Sequence, residues 1–506
     1  MYRKFVIGID QGTTNTKSIV LDMSGEVISI AKSKLKRFHP RHDWVEQRPE
    51  DIWKTTLISL KRSVQEKKIP MKKIECIGIA DQGETIILWD KNTGIPVYNA
   101  IVWQDRRTTE TLRKIEQDFP DVREEVRKRT GLMLDPYFSA SKIKWILDNV
   151  ENAREKALKG ELIMGTTDTW LVWNLTKGRL HVTDYTTASR TMLFNINSLK
   201  WDEVLLETFG IPAEILPEVA ENANLIGYTD CSITGSEIPI SNLIVDQQAA
   251  LFGHMCFQEK EVKATYGTGV FILMNIGNSP TSAPGILTTI AWVLGKQTTY
   301  AFDGGSYYAG ALIDYLTENF KIIKNPKAAD KIARSVESSG GLYFVPAIVG
   351  LAAPYWDTTA RGLIIGLNPS STYKHLVRAA VEGIALSVYD VIEEMSKAIG
   401  GWITNIKADG GLTQNSFLMQ FQADILDVPL YSPSNQETTA YGTALLAGIA
   451  RDVFPKKLEE LRRYYKVEKM YRPQMEEHVR LQIINEWRRA VSRSRNWVHH
   501  NNSSSI

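Results

Sequence analysis

Near its start the chain reads Phe5-Val6-Ile7-Gly8-Ile9-Asp10-Gln11-Gly12-Thr13-Thr14. An apolar, β-prone run, Phe5–Ile9, gives way at once to a carboxylate, a glycine and two hydroxyls. Glycine has no Cβ, so backbone N–H groups in such a turn approach an anion closely. A carboxylate at the strand end offers a hard oxygen of the kind Mg²⁺ takes. The apolar run resumes at Ser18–Leu21, turns at Met23-Ser24-Gly25 and continues through Glu26–Ile30. This predicts strands in hairpin order around a phosphate-sized turn. Apolar positions at Ile52, Trp53, Leu57, Leu60 and Val64 then predict an amphipathic helix. A further strand is expected at Ile74–Ile79, and a hairpin through Asn92-Thr93-Gly94.

The second half repeats the order. Lys263–Tyr266 runs into Gly267-Thr268-Gly269, and Val270–Met274 continues as a strand. Strand-like runs follow at Gly285–Val293 and Thr298–Phe302, and Asp303-Gly304-Gly305 predicts a helix from about Ser306 to Thr317. Ile406-Lys407-Ala408 ends in Asp409-Gly410-Gly411, with a helix expected from Ser416. Each Gly turn taken alone is equally a tight β-turn. Three of them at comparable places in two halves predict a nucleotide clamp, and none is a G-x-x-x-x-G-K-[ST] loop. In Ile244-Val245-Asp246-Gln247-Gln248 a carboxylate ends one strand and opens a small-residue helix, which suits either a plain N-cap or a catalytic base.

Bulk properties narrow the class. A chain of 506 residues exceeds one core, so an α/β protein of two lobes is expected, 1–253 and 254–506, with a polar tail from about 495. Lys+Arg 60 against Asp+Glu 58 gives a net charge of +2, so no nucleic-acid or anionic-membrane partner is expected. Cys76, Cys231 and Cys256 form no C-x-x-C and no disulfide framework, which predicts a reducing, cytoplasmic setting. No apolar run approaches the ~20 residues of a membrane span, and Met1-Tyr2-Arg3-Lys4 leaves no room for a signal peptide before the first strand.

These residues resemble the FGGY family of carbohydrate kinases, within it the branch that acts on glycerol. The resemblance is carried by IDQGTTNTK from Ile9, WQDRRT from Trp103, GLMLDPYFSASKIKWILDN from Gly131 and HVTDYTTASRTMLFNI from His181. VDQQAALFG from Val245, TYGTGVFILMN from Thr265, GLAAPYWDTTARGLIIGL from Gly350 and DGGLTQNSFLMQFQADIL from Asp409 complete it. It implies two actin-like (ribonuclease H-type) lobes closing on ATP and substrate. Asp10 would hold Mg²⁺ and Thr14 would meet the transferred phosphate, with Thr13 and Lys17 supporting the loop. Asp246 would be the general base. Thr268, Gly269 and Gly411 would bind phosphates, and Gly310, Asp314 and Asn415 would line the adenosine pocket. Glu84, Trp103, Tyr137, Asp246, Gln247 and Phe271 would form the polyol site, beside Gly83. A homodimer or other homo-oligomer is expected on the same ground. Actin-like and chaperone ATPases share the clamp, but nothing in their function calls for Asp246-Gln247-Gln248.

Three positions depart from that branch. One is Glu237, acidic where some members carry a basic residue that receives a sugar-bisphosphate inhibitor, so regulation of that kind is not expected. Members of the branch usually carry Arg where Lys17 stands, so a bidentate contact becomes a point charge. They also carry Arg immediately before the glutamate, in Asn-Gln-Arg-Glu-Thr, where this chain reads Asp81-Gln82-Gly83-Glu84-Thr85. Gly83 removes a donor to the substrate's hydroxyls and is expected to leave space. Either another group takes its place and glycerol remains the acceptor, or a longer polyol or ketose (erythritol, threitol, xylulose or ribulose) fits instead.

Overall fold

The computed structural model describes residues 4–498. Met1–Arg3 and the tail's last stretch, 499–506, lie outside the described residues.

Two large sheets organise the chain, and each is built on the same plan. In the first, strands Phe5–Gln11, Asn15–Asp22 and Val27–Lys34 form an antiparallel meander. Strand Ile74–Asp81 then pairs parallel to Phe5–Gln11, and Pro239–Val245 pairs parallel to Ile74–Asp81. In the second, Val262–Tyr266, Val270–Asn275 and Gln297–Ser306 form the meander. Ile406–Asp409 joins parallel to Val262–Tyr266, and Leu430–Pro433 parallel to Ile406–Asp409. Strand Leu287–Leu294 extends this sheet at the edge beyond Gln297–Ser306. The near-continuous apolar stretches at Phe5–Ile9 and Ile74–Ala80 follow from burial on both faces, as parallel strands require.

The predicted helix from Ile52 is present as Pro49–Gln65, opened by proline at a first-turn position where its missing N–H costs nothing. Its apolar face and Thr55, Thr56, Ser59 and Ser63 are buried over the first sheet. The Asn92–Gly94 hairpin is also present, but its strands belong to a separate four-stranded sheet with Glu46–Gln47 and Leu162–Thr166. One expectation fails. The helix predicted from about Ser306 begins at Gly310, because Asp303–Ser306 continue the strand. Gly304 and Gly305 are strand glycines: a Cβ at 305 would lie 2.3 Å from the Val270 carbonyl oxygen, and one at 304 would lie 2.8 Å from Val391 Cγ1. Their missing side chains serve close packing rather than a turn.

The two halves are joined by helix Thr438–Ala450, which belongs to the second half in sequence but packs on the first sheet and on helix Asp246–Gly253. A Cβ on Gly8 would lie 2.0 Å from the Ala440 carbonyl oxygen, one on Gly78 2.3 Å from that of Thr443, and one on Gly442 2.0 Å from that of Ala249. Backbone therefore meets backbone, and this seam sets how the lobes face each other. Gly442→Ala is expected to destabilise the chain by about 3 kcal/mol or more, since the obstacle is a main-chain oxygen rather than a movable side chain. Urea unfolding measures it. A loss below about 0.5 kcal/mol would mean that the seam relaxes freely.

Candidate active site

In open α/β sheets ligands meet the carboxyl ends of the parallel strands, and the register here aligns those ends. Gln11 pairs with Asp81, and Asp81 with Val245. Asp10, the turn Gln82–Glu84 and Asp246 thus stand side by side. In the second lobe Thr265 pairs with Asp409, which brings the turns Gly267–Gly269 and Gly410–Gly411 together. Gly410 has φ +93°, and a Cβ there would lie 2.4 Å from the Tyr266 carbonyl oxygen, so only glycine permits this approach.

The acceptor side is built from aromatic walls around carboxylates. Trp103 meets Tyr137 edge-on with centroids 5.5 Å apart, and Phe271 of the second lobe lies 6.2 Å from Trp103. Trp103 Nε1 donates to Thr13 Oγ1 at 2.9 Å, tying the aromatic wall to the phosphate turn. Gln47 Nε2 donates to the Thr13 carbonyl at 2.7 Å, and Gln82 Nε2 to Gln47 Oε1 at 2.9 Å, which holds the turn from below. Glu84 is buried and sits at φ +46°, directly after Gly83 at φ +59°.

Asp246 is half-buried at the first turn of its helix, whose cap is Val245 with no side-chain cap bond. Its carboxylate therefore stands one position inside the helix rather than at the cap. Burial, with Glu84 nearby, pushes its pKa up to about 6, although Lys263 and Gln247 pull the other way. Burial likewise raises Asp10 to about 7, with Asp246 and Glu437 adding to the rise and Lys17 opposing it. Lys17 lies 3.8 Å from Asp10 and is hydrogen-bonded to Glu437 of the second lobe.

Of the other predicted residues, Gln247 accepts a hydrogen bond from buried Lys263. Thr14, Thr268 and Asp314 are exposed, and Gly411 is exposed with open space where a Cβ would stand. The Gly310 N–H donates to the Gly267 carbonyl at 3.0 Å, so the helix Gly310–Glu318 starts directly against the phosphate turn. A Cβ on Gly269 would lie 2.3 Å from the Ser306 carbonyl oxygen. Asn415 caps helix Ser416–Leu426 through a bond from the Leu418 N–H to its Oδ1 at 2.9 Å, leaving its amide nitrogen as the group free to face a ligand.

The space expected beside Gly83 is absent. A Cβ at Gly83 would lie 2.7 Å from Val245 Cγ2, so the valine occupies that room. A guanidinium is present all the same. Arg190, 4% exposed, donates from Nε to Glu84 Oε1 at 2.6 Å. Sequence reasoning singled out neither Arg190 nor Val245 nor Glu437. Arg190 lies within the HVTDYTTASRTMLFNI stretch, but its partner is 106 residues away.

Residues 5–253 match the model of the FGGY family of carbohydrate kinases, N-terminal domain, and residues 262–451 that of its C-terminal domain. The chain belongs to the FGGY family of carbohydrate kinases. It is 48% identical to glycerol kinase 2 of Thermotoga maritima over 495 residues, 98% of this chain and 99% of that one. To the glycerol kinase of Parabacteroides distasonis it is 47% identical over 496 residues, again 98% and 99%. The crystal structure of Plasmodium falciparum glycerol kinase with ADP matches with TM-score 0.91 and 33% identity over 97% of this chain and 98% of that one. A xylulose kinase of Lactobacillus acidophilus, 23% identical with TM-score 0.86 over 97% and 99%, shares the fold. This FGGY kinase thus has two actin-like lobes and an ATP-dependent transferase activity in the cleft between them. Among the described residues no helix is long and apolar enough to cross a membrane.

Were Asp246 the base, kcat/KM for the acceptor would fall on the acid side with a midpoint near pH 6, where its carboxylate takes up a proton. The pH profile of kcat/KM for the acceptor, which reports the form without bound acceptor, reads this out. A flat profile down to pH 5 would remove Asp246 from the proton transfer.

Proposed function

We propose that this chain transfers the γ-phosphoryl group of ATP to a terminal hydroxyl of glycerol. The observation that carries the reading is the acceptor side of the site, where aromatic rings flank carboxylates. Trp103, Tyr137 and Phe271 wall it, Glu84 and Asp246 supply acceptors within electrostatic range of each other, and Val245 fills the room beside Gly83. A three-carbon polyol presents apolar C–H faces to the rings and hydroxyls to the carboxylates. With Val245 against Gly83, no added room opens there for a tetritol, pentitol or ketose, and the full-length relatives named glycerol kinase support the same choice.

The mechanism follows from placement. Asp246 accepts the hydroxyl proton as the acceptor oxygen bonds to the γ-phosphorus and the bond to the β,γ-bridging oxygen breaks, releasing ADP. Gln247, held by Lys263, and Glu84 orient the acceptor. Thr13, Thr14, Thr268, Gly269 and Gly411 offer hydroxyls and N–H groups to phosphate oxygens, and Lys17 adds a cation. Gly310, Asp314 and Asn415 border the adenosine side. The residues fit Mg²⁺: Asp10 is a hard carboxylate at the strand end, buried there with Asp246 and Glu437 near it, and a cation would favour its ionised form. Bound there with the nucleotide, Mg²⁺ would offset charge on the phosphate oxygens. A lobe organisation of 1–253 and 254–506, a cytoplasmic setting and a homodimer belong to the same reading. Cys76 and Cys256 are free and buried, in keeping with that setting.

Coupled ADP release with MgATP and glycerol, erythritol, threitol, xylitol, ribulose or xylulose tests the acceptor. Glycerol is expected to give the highest kcat/KM by at least tenfold. A longer acceptor winning by that margin would overturn the assignment. Asp246→Ala is expected to lower kcat by about 10²–10⁴-fold, the usual contribution of a general base. A loss under tenfold would place the base elsewhere.

A further inference from the structure

The missing arginine before Glu84 leaves the acceptor chamber's recognition of hydroxyls to be supplied by something else, and one buried cation stands in the right place. Arg190 follows the short helix Tyr185–Ala188, whose N-terminus is capped by Asp184. Thr187 of that helix donates to Asp81 Oδ1 at 3.0 Å, and Asp81 ends the strand that leads into Gly83-Glu84. The segment bearing Arg190 is thereby pinned to the segment bearing Glu84.

The guanidinium itself is clamped on several sides. Nε donates to Glu84 Oε1 at 2.6 Å. Nη1 lies 2.8 Å from Asp303 Oδ2 of the second lobe, yet out of line for a hydrogen bond, and this buried nitrogen has no other acceptor. The rings of Tyr137 and Phe138 lie 5.7 and 5.4 Å from the guanidinium carbon. Burial works against its charge, but Asp303 and Glu84 outweigh that and raise its pKa. Glu84, whose own pKa burial raises, is drawn back toward ionisation by the same contact.

We propose that Arg190 is the positioning residue for the acceptor, fixing the Glu84 carboxylate as a hydroxyl acceptor, and that Val245 closes the place a larger residue at 83 would take, so that the pair sets selection for a three-carbon polyol. The guanidinium bonds Glu84 through Nε alone while Nη1 lies beside Asp303, and its fixed planar geometry sets the two carboxylates apart in a way that neither an ammonium nor a neutral amide reproduces. The two residues divide the task. Arg190 supplies the fixed charge, and Val245 supplies the wall. The proposal rests on the glycerol-kinase reading above and deepens it.

The test uses the full chain with Arg190→Gln, Arg190→Lys and Val245→Ala, each assayed with glycerol and erythritol under saturating MgATP. Arg190→Gln is expected to raise the KM for glycerol about 10- to 100-fold, the range for losing a charge-assisted contact, with kcat changed less than about fivefold and the KM for ATP unmoved. Arg190→Lys, which restores charge without the planar geometry, is expected to recover part of that KM. Val245→Ala is expected to shift the erythritol-to-glycerol ratio of kcat/KM upward by about tenfold. An unchanged glycerol KM in both Arg190 variants, or losses in kcat and in KM for ATP alone, would overturn the role of Arg190. An unaltered acceptor ratio in Val245→Ala would overturn that of Val245. If Arg190→Gln does not fold, the KM of Arg190→Lys decides. If the unmodified chain releases no ADP with glycerol, the underlying reading fails, and that outcome is separate from any variant's.

Discussion

The close approach of main chain to main chain along helix Thr438–Ala450 is the constraint on which the rest of the molecule depends. Gly8 and Gly78 lie in adjacent parallel strands of the first sheet, and Gly442 lies on a helix from the second half of the chain. No side chain separates them from the carbonyls they meet. A seam of this kind admits little sliding, because each shift drives a carbonyl oxygen into a Cα. It therefore holds the carboxyl ends of the first sheet's strands against those of the second. It also carries Glu437, immediately before the helix, to Lys17 and Thr438 to Asp409.

What the seam brings together is a concentration of carboxylates that would repel one another without placed cations. Asp10, Glu84 and Asp246 all have raised pKa values, and burial leads in each case. Lys17, Arg190 and Lys263 are distributed among them, one beside the phosphate turn, one beside Glu84 and one beside Gln247. Asp246, raised to about 6, and Asp10, raised to about 7, thus change protonation closer to neutrality than ordinary carboxyl groups do.

Much of this was legible in the sequence, and the division follows a physical line. Strand order, the Gly/Thr turns and the Asp246 junction are local: each is encoded within about ten residues and read by turn and strand chemistry. The helix start near 306 was misplaced because Gly304-Gly305 looks the same whether glycine serves a turn or a close contact, and only the Val391 and Val270 neighbours distinguish them. Arg190 and Val245 were not read because their meaning depends on partners reached through the fold. Gly83 announces that a guanidinium is missing, but not that another one comes from 106 residues further on. Lys17 and Glu437 pair across 420 residues, a separation at which composition and spacing carry no signal.

The Lys17–Glu437 pair bears on how a highly charged nucleotide is received. A cation already engaged by a carboxylate from the opposite lobe gives the cleft its own internal counter-ion. A phosphate group arriving at Lys17 would have to exchange with Glu437 as its anionic partner. An exchange changes the local charge less than a simple addition does and displaces fewer mobile ions from solution. Binding at this position would accordingly be less sensitive to ionic strength than at a lysine with no such partner.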